Sequence, residues 1–355
     1  MILTPFLSVV IPTYNRPESL RVTLAALAQQ DPVPGGFEVI VVSDGSGEST
    51  AAALVEWSAR ALPFALRPIY QHNRGPACAR NRGIQEAQGQ VIVFLDDDVE
   101  PLPGCLAAHA CRHQESDKIV VIGPLSADPE RARVEPVWIA WEHAMLQKQY
   151  DSWKQGRWAS NACGPHNFYT GNASVRREHL LAVGGFDEGF TRQEDVELAT
   201  RMERVCGVYF RFDPTLAALH RPFRHFASWL RVPYAYGCLD VVRATRGDAS
   251  WGLIQQSHYS RQWATRALAR LTLPIPFLGA MLRQLLKIGA EIAYALPLKK
   301  AKRAGLQALS VLYNLRYLEG ARDELGSWEA LNRVFRASNP TPFPERAAET
   351  KGRAA

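Results

Sequence analysis

Cysteine is scarce in this sequence, and the few cysteines that occur are scattered. No two of them form a Cys-x-x-Cys pair, and no group of cysteine and histidine residues has the spacing of a zinc site. We therefore expect reduced thiols, and neither a disulfide framework nor a zinc module. The six cysteines are Cys78, Cys105, Cys111, Cys163, Cys206 and Cys238.

Glycine-rich nucleotide motifs and long apolar runs are missing as well. Neither Gly-x-Gly-x-x-Gly nor Gly-x-x-x-x-Gly-Lys-[Ser/Thr] follows a predicted strand, which argues against a dinucleotide-dependent dehydrogenase and a P-loop NTPase. No stretch reaches the roughly 18 to 20 uncharged apolar residues of a spanning helix. The segment from Met1 to Leu7 has no basic region of a signal peptide, so a cytoplasmic protein is expected.

The chain instead has an ordinary globular composition and alternating strand and helix patterns. Its 355 residues, 47% hydrophobic and 21% charged, are enough to bury a sizeable core. Repeated βα units predict a mainly parallel sheet and an α/β fold, although the strand order does not follow from them. The predicted strands are Leu7–Pro12, Phe37–Val42, Phe64–Tyr70, Val91–Leu95 and Ile119–Ile122, and the predicted helices between them are Pro17–Gln30, Ser49–Ala61 and Pro76–Gln88.

Three consecutive aspartates, Asp96, Asp97 and Asp98, follow the apolar run Val91–Leu95. Such a run is typical of a strand buried on both faces, and ligands bind at the carboxyl ends of parallel strands. Adjacent anions repel one another unless a cation neutralises them. An all-oxygen site suits Mg²⁺ or Mn²⁺, which carboxylates and substrate phosphates commonly hold together. The alternative is a solvated acidic loop before Pro101.

Two further predicted strands also end in polar residues. The first ends in Pro12-Thr13-Tyr14-Asn15-Arg16 and the second in Ser43-Asp44-Gly45-Ser46. Because the carboxyl ends of parallel strands share one edge of a sheet, these groups predict a nucleotide pocket there. Arg80 adds a cation near the start of a helix, where backbone N–H groups also favour phosphate. A turn or helix cap is the alternative for each loop, and pairing with surface acids is the alternative for Arg80.

Five ordered motifs together resemble the family 2 glycosyltransferases, which have the GT-A fold, a Rossmann-like nucleotide-binding sheet. The resemblance covers roughly residues 7 to 225. Its motifs are Val9-Val10-Ile11-Pro12-Thr13-Tyr14-Asn15, Asp44-Gly45-Ser46, Ala79-Arg80-Asn81-Arg82-Gly83, Phe94-Leu95-Asp96-Asp97-Asp98 and Gln193-Glu194-Asp195-Val196-Glu197-Leu198.

The resemblance implies roles for individual residues. In the family, the Asp that matches Asp44 meets the nucleotide base, and the Asp-x-Asp that matches Asp96 and Asp98 meets the ribose and the metal. The Asp that matches Asp195 is the general base; the alternative is an acid that only complements the dipole of its helix. The family's usual Asp-Asp-Gly-Ser begins with Ser43 here, a departure that leaves Asp44 in place.

The same resemblance assigns the rest of the site. His220 matches a histidine that many relatives use as a further metal ligand, although a lone histidine is usually structural. Aromatic side chains such as Trp158 pack on sugar C–H faces, and core packing explains them equally well. We expect the nucleotide to meet Pro12, Thr13, Tyr14, Asn15, Asp44, Arg80, Asp96 and Asp97, the metal to meet Asp98, Asp96 and His220, and the acceptor to meet Gly171, Asn172, Glu194 and Trp158.

The expected function is inverting transfer of a sugar from a nucleotide-diphosphate sugar, with Mn²⁺ or Mg²⁺, to a hydroxyl of a glycan or lipid-linked acceptor. Bacterial polysaccharide, lipid-linked glycan or glycoconjugate synthesis would use such a step. No Gln-x-x-Arg-Trp motif of processive membrane synthases follows the base helix, so we expect addition of one sugar or a few. The alternatives are a nucleotidyltransferase and a catalytically silent binder of sugar nucleotides, and intact Asp96, Asp98 and Asp195 argue against the silent binder.

The C-terminal part is basic and has helical patterns. Between Arg261 and Tyr317, Glu291 is the one acid among many lysines and arginines. This charge suits peripheral contact with anionic lipid at the inner face of a cell membrane, and a helix packed on the catalytic domain is the alternative. No recognition motif accompanies it, so no nucleic acid partner is expected. We expect a catalytic domain over residues 1–225, a helical extension over 226–338 and a disordered tail over 339–355.

Overall fold

The computed structural model describes residues 5–154, 163–190, 192–247 and 251–337. Within them the chain divides into two compact units. The first comprises the described residues of Met1–Glu135 and Glu142–Phe223, and the second those of Pro136–Trp141 and Arg224–Ala355. The tail expected over residues 339–355 lies outside the described residues.

The first unit is built around a mixed β-sheet. In chain order its strands are β1 (Leu7–Thr13), β2 (Phe37–Asp44), β3 (Ala65–Gln71), β4 (Val91–Leu95), β5 (Val99–Pro101), β6 (Ile119–Ile122), β7 (Leu125–Ala127), β8 (Asn172–Arg176), β9 (Tyr209–Phe212) and β10 (Ala218–His220). The main sheet has the order β3-β2-β1-β4-β8-β6-β9, and β5, β10 and β7 form a small second sheet. Strands β1 to β4 run parallel to one another, whereas β8 is antiparallel to both β4 and β6.

Helices connect these strands as the alternating patterns predict. They are α1 (Pro17–Leu27), α2 (Glu48–Ser58), α3 (Pro76–Glu86), α4 (Cys105–Glu115), α5 (Val137–Lys154), α6 (Arg177–Ala182) and α7 (Glu194–Cys206). The predicted α/β fold with a largely parallel sheet is confirmed. Strand β8 was not predicted, because its short segment gains strand structure by pairing with β4 and β6, and sequence periodicity does not reveal such pairing.

Both faces of the main sheet are covered by apolar side chains. Along β4, Ile92 and Phe94 join one buried cluster, and Val91, Val93 and Leu95 join another. This division follows from the alternation of side chains along a strand. The carboxylates that follow β4 therefore emerge directly from the interior of the sheet.

The second unit is helical in its described part. Its helices are α8 (Phe226–Arg246), α9 (Trp251–Tyr259), α10 (Trp263–Thr272), α11 (Pro276–Ala295), α12 (Lys299–Leu325) and α13 (Trp328–Arg336). The expected helical C-terminal region is thus present. Among the described helices, none combines the length and the apolar character needed to cross a bilayer.

Two glycines let α8 and α12 approach at backbone distance. A Cβ atom added at Gly237 of α8 would lie 2.0 Å from the carbonyl oxygen of Tyr317, and one added at Gly320 of α12 would lie 2.0 Å from that of Tyr234. Backbone atoms inside two packed helices cannot move aside as a flexible side chain can. The contact therefore requires residues without a side chain.

We predict that Gly320→Ala lowers the free energy of unfolding by about 1–3 kcal/mol, because the added methyl group forces α8 and α12 apart. Gly289→Ala is the matched control, since Gly289 lies in α11 with nothing within 4 Å of an added Cβ. Alanine's better helix propensity should leave that variant unchanged or up to about 1 kcal/mol more stable. Denaturant unfolding of the full chain, followed by circular dichroism, compares the two; equal stability would contradict the close-contact interpretation.

Candidate active site

Asp97 is the anchor of the acidic run that follows β4. Asp97 and Asp98 are only 4% and 9% exposed. The Thr13 hydroxyl, at the end of β1, donates a hydrogen bond of 2.7 Å to Asp97 Oδ2, and the Thr23 hydroxyl of α1 donates one of 3.1 Å to the Asp97 carbonyl. Burial raises the pKa of Asp97 to about 6, although the Arg16 guanidinium acts in the opposite direction. The Asp97 side chain thus ties the end of β4 to β1, and contact with a nucleotide stays a prediction.

Arg16 supplies positive charge to two of the three carboxylates. Its Nη1 lies 3.1 Å from Asp97 Oδ1 and 3.0 Å from Asp98 Oδ2, and its side chain is 43% exposed. The sequence analysis includes Arg16 in the polar end of the first strand but assigns it no role in the site. The signal available was its charge at the end of β1, which pairs with β4 in the parallel sheet.

Asp96 faces a different cation. Arg80 of α3 donates from Nη2 to Asp96 Oδ1 at 2.9 Å, and its Nη1 lies 3.5 Å from Glu194 Oε1 at the start of α7. Arg80 is buried, and among the described residues its Nε has no hydrogen-bond partner. The structure thus joins three predicted site residues, Asp96, Arg80 and Glu194, in one chain of ion pairs.

Gly171 borders Asp96, and its contact with an acceptor stays a prediction. The Asp96 backbone N–H donates to the Gly171 carbonyl at 3.4 Å, which continues the pairing of β4 with β8. A Cβ atom at Gly171 would lie 3.1 Å from Asp96 Oδ2. Any side chain at this position would therefore crowd the carboxylate.

Asp195 lies in the first turn of α7, two residues after Gln193, which has a left-handed φ of 58°. Its Oδ1 accepts a hydrogen bond of 2.8 Å from the Val196 backbone N–H. Burial, and then the negative charge of Glu194, raises the pKa of Asp195 to about 6. A carboxylate with this pKa is a stronger base than an exposed aspartate and is still ionised at neutral pH.

His220 meets Asp98 from the second, smaller sheet. The antiparallel pairing of β10 with β5 places His220 opposite Val99, and its Nε2 lies 3.6 Å from Asp98 Oδ1. A carboxylate oxygen and an imidazole nitrogen at this separation suit a shared divalent ion. In the described part of the chain, no three His, Cys, Asp or Glu side chains are gathered into a complete cation site. Further ligands would have to come from a substrate.

The predicted nucleotide loops are tied to one another. Asn15 has a left-handed φ of 54°, its Oδ1 accepts from the Gly47 N–H at 2.8 Å, and its own N–H donates to Ser46 Oγ at 3.1 Å. Asp44 is buried, and its carboxylate accepts from the N–H groups of Arg74 and Gly75, both at 2.9 Å. These bonds hold the loops that follow β1, β2 and β3 at one edge of the sheet. Tyr14 is exposed at this edge, and Pro12 is half-buried.

The Asn172 side chain lies in the interior, contrary to an acceptor-facing position. Its amide group donates to the carbonyls of Pro124 (3.1 Å) and Leu216 (2.8 Å), and its Oδ1 lies 3.1 Å from His109 Nε2. Burial lowers the pKa of His109 to about 4, so this histidine is neutral and donates one hydrogen bond. We therefore assign Asn172 to the support of β8, because its polar atoms are already bonded within the protein. Trp158 lies outside the described residues.

Comparison with known proteins identifies relatives of this chain. A sequence model described as Glycosyl transferase family 2 matches residues 8–184. Glycosyltransferase AglE of Haloferax volcanii is 34% identical over 235 residues, which cover 66% of this chain and 72% of that protein. Validoxylamine A glucosyltransferase of Streptomyces hygroscopicus subsp. limoneus is 33% identical over 224 residues, 56% of this chain and 48% of the relative. The chain spans from 24% to 64% of the length of several relatives it matches.

A solved structure has a similar fold. It is the mannosyltransferase PcManGT from Pyrobaculum calidifontis in complex with GDP-Man and Mn²⁺, with a TM-score of 0.56 and 19% sequence identity. The alignment covers 92% of this chain and 88% of that one. This likeness confirms the expected GT-A fold.

We predict that Arg16→Ala destabilises the protein by about 1 kcal/mol at neutral pH without divalent cations, because two buried carboxylates lose a charged donor that is itself partly screened by solvent. Mn²⁺ should then raise the melting temperature of the variant more than that of the wild type. Thermal unfolding with and without Mn²⁺ measures both effects.

Arg21→Ala is the matched control in α1, the helix that follows Arg16, since Arg21 pairs with the exposed Glu18 and with Glu56. It should change the free energy of unfolding by less than about 0.5 kcal/mol and leave the response to Mn²⁺ unchanged. If Arg16→Ala behaved in the same way, Arg16 would not neutralise the acidic run.

Proposed function

The chain belongs to glycosyl transferase family 2, and we propose that it moves a sugar from a nucleotide-diphosphate sugar to a hydroxyl group of a glycan or lipid-linked acceptor. The observation that carries the proposal is the ion-pair chain from Asp96 through Arg80 to Glu194. It connects the acidic end of β4, where a donor would bind, with the start of α7, where the candidate base Asp195 lies. The donor-binding region and the acceptor-binding region would thus lie next to each other.

A divalent cation, Mn²⁺ or Mg²⁺, is part of the proposal, with Asp98 and His220 as the protein ligands and Asp96 beside them. The support is the 3.6 Å approach of Asp98 Oδ1 to His220 Nε2. Two protein ligands suffice where oxygens of a substrate diphosphate provide the others. When bound, such a cation stabilises the charge of the departing diphosphate. PcManGT, the structural neighbour, was solved with GDP-Man and Mn²⁺, which agrees with this chemistry.

The protein's own groups would orient the donor. We assign the loop Pro12-Thr13-Tyr14-Asn15 and Asp44 to the nucleoside, because hydrogen bonds hold both at the same sheet edge as the acidic run. Arg80 would contribute its positive charge beside Asp96. Asp97 would act indirectly, because its hydrogen bond with Thr13 fixes the backbone of Asp96–Asp98.

Asp195 is proposed as the general base for an inverting transfer. Inversion requires deprotonation of the acceptor hydroxyl on the face opposite the leaving group, while positive charge develops at the anomeric carbon. An ionised carboxylate with a raised pKa suits that step. A lipid-linked acceptor would be presented at a membrane, so peripheral contact with the cytoplasmic face belongs to the proposal.

We predict that Asp98→Ala abolishes metal-dependent binding of a nucleoside diphosphate, because the variant loses the carboxylate that faces His220. Calorimetric titration of a nucleoside diphosphate with and without Mn²⁺ measures the effect, and circular dichroism verifies the fold. Asp117→Ala is the matched control, since Asp117 is an exposed carboxylate that pairs with Arg176. Unchanged affinity in Asp98→Ala would rule out this metal assignment.

We predict that Asp195→Asn lowers kcat by roughly 10² or more with donor affinity nearly unchanged, because the base acts on the acceptor only in the transition state. In the wild type, kcat should fall below about pH 6, where protonated Asp195 can no longer accept a proton. Initial rates across pH, with product detected by mass spectrometry, give both results.

Glu203→Gln is the control for this variant, since Glu203 is exposed near the other end of α7. It should retain wild-type turnover and the same decline at acidic pH. Full turnover by Asp195→Asn would instead show that another residue is the general base, and Glu194 would be tested next.

A further inference from the structure

One face of α11 exposes large apolar side chains along its whole length. They recur at intervals of four, four, three and four residues, the spacing of a single helix face. Phe277, Leu285 and Ile292 are 70%, 63% and 61% exposed. We call this set the α11 stripe, and its members are Phe277, Met281, Leu285, Ile288 and Ile292.

The opposite face of α11 already provides the packing that the helix needs. Gly279 and Ala290 are buried, and Leu282 and Leu286 pack against the apolar clusters of the second unit. A Cβ added at Gly305 of α12 would lie 2.8 Å from the Ala290 carbonyl, so the two helices are in close contact on this side. The α11 stripe is therefore additional to the core of this unit.

Exposed apolar residues also precede and follow the stripe. Trp263 and Leu271 of α10 and Ile275 come before it, and Leu296 and Leu298 come after it. A helix of this length extends for about 30 Å. A continuous apolar surface of that extent exceeds the scattered exposed residues of an ordinary surface and marks a contact site.

The charge around the stripe is almost entirely positive. The exposed cations next to it in sequence are Arg270, Lys299, Lys300, Lys302 and Arg303. Glu291, the one acid between residues 261 and 303, lies 3.5 Å from Lys287 Nζ, and that ion pair neutralises it. The stripe is thus apolar, and the segments that flank it in sequence are basic.

We propose that the α11 stripe lies flat in the surface of an anionic lipid bilayer. Apolar side chains would enter the acyl boundary, and the lysines and arginines would meet anionic headgroups. A second copy of this chain fits less well, because a two-fold contact through the stripe would bring basic flanking segments together. The lipid contact deepens the membrane association in the proposed function, but it does not depend on the catalytic assignments.

The test is flotation of the full chain with vesicles at low salt. Vesicles of equal parts phosphatidylglycerol and phosphatidylcholine are compared with vesicles of phosphatidylcholine alone. We expect the wild type to bind the anionic vesicles at least tenfold more strongly than the neutral ones, and high salt to weaken that binding. Absence of binding to the anionic vesicles would overturn the proposal.

A stripe variant, Phe277→Ser/Leu285→Ser/Ile292→Ser, should bind anionic vesicles at least tenfold more weakly. The matched control is Val55→Ser/Leu181→Ser/Val205→Ser, which removes three exposed apolar side chains from the first unit and should bind like the wild type. An equal loss of vesicle binding in both variants, or unchanged vesicle binding in the stripe variant, would show that the α11 stripe is not the lipid contact. Because all these side chains are exposed, circular dichroism should show an unchanged fold.

A third variant, Lys299→Gln/Lys300→Gln/Lys302→Gln/Arg303→Gln, should lose the preference for anionic over neutral vesicles. Analytical ultracentrifugation without lipid examines self-association; a dimer that only the stripe variant dissociates would overturn the proposal in favour of a second copy. Calorimetry with a nucleoside diphosphate and Mn²⁺ on the stripe variant should match the wild type. Failure of lipid binding and failure of the proposed function are thus measured separately.

Discussion

The need to neutralise three adjacent carboxylates at the end of a buried strand organises the first unit. Asp96–Asp98 emerge from the interior of the sheet, where unpaired charge is costly. The β1–α1 segment answers that need with Thr13 and Arg16, and helix α3 answers it with Arg80, while strand β10 places His220 beside Asp98. The order of strands in the sheet and the attachment of the small second sheet bring these groups together. The contacts that shape the site therefore also offset the buried negative charge that would otherwise destabilise the fold.

The same burial that requires partners for these acids also changes their acidity. The pKa values of Asp97 and Asp195 are both raised to about 6, yet the surroundings of the two residues differ. Asp97 is bonded to Thr13 and Arg16, whereas Asp195 accepts only from the neighbouring Val196 N–H among the hydrogen bonds described for its side chain. One environment suits an anchor and the other suits a proton acceptor. The chemical role follows from the partners of a carboxylate and not from its pKa alone.

In the second unit, the structure of helix α11 is compatible with both interpretations of its sequence pattern. The basic, apolar stretch was compatible with a lipid-facing surface and with a helix packed against protein. In the structure, α11 packs through Leu286 and Ala290 on one face and exposes Phe277 and Leu285 on the other. A helix that is apolar on both sides needs two partners. Only the inner partner is part of the described chain.

The sequence by itself determined the parallel strands β1 to β4, the helices between them and the ordered motifs, because apolar periodicity and turn residues act over short stretches of chain. It therefore predicted β4 with its acidic end, and the α/β class. It did not predict the partners of the polar groups. Arg80 and Glu194 are separated by 114 positions and Asn172 is bonded to Leu216 across strands, so their contacts depend on strand order. Hydrogen bonds between distant residues are decided by the tertiary structure, since local pattern carries no record of which elements become neighbours.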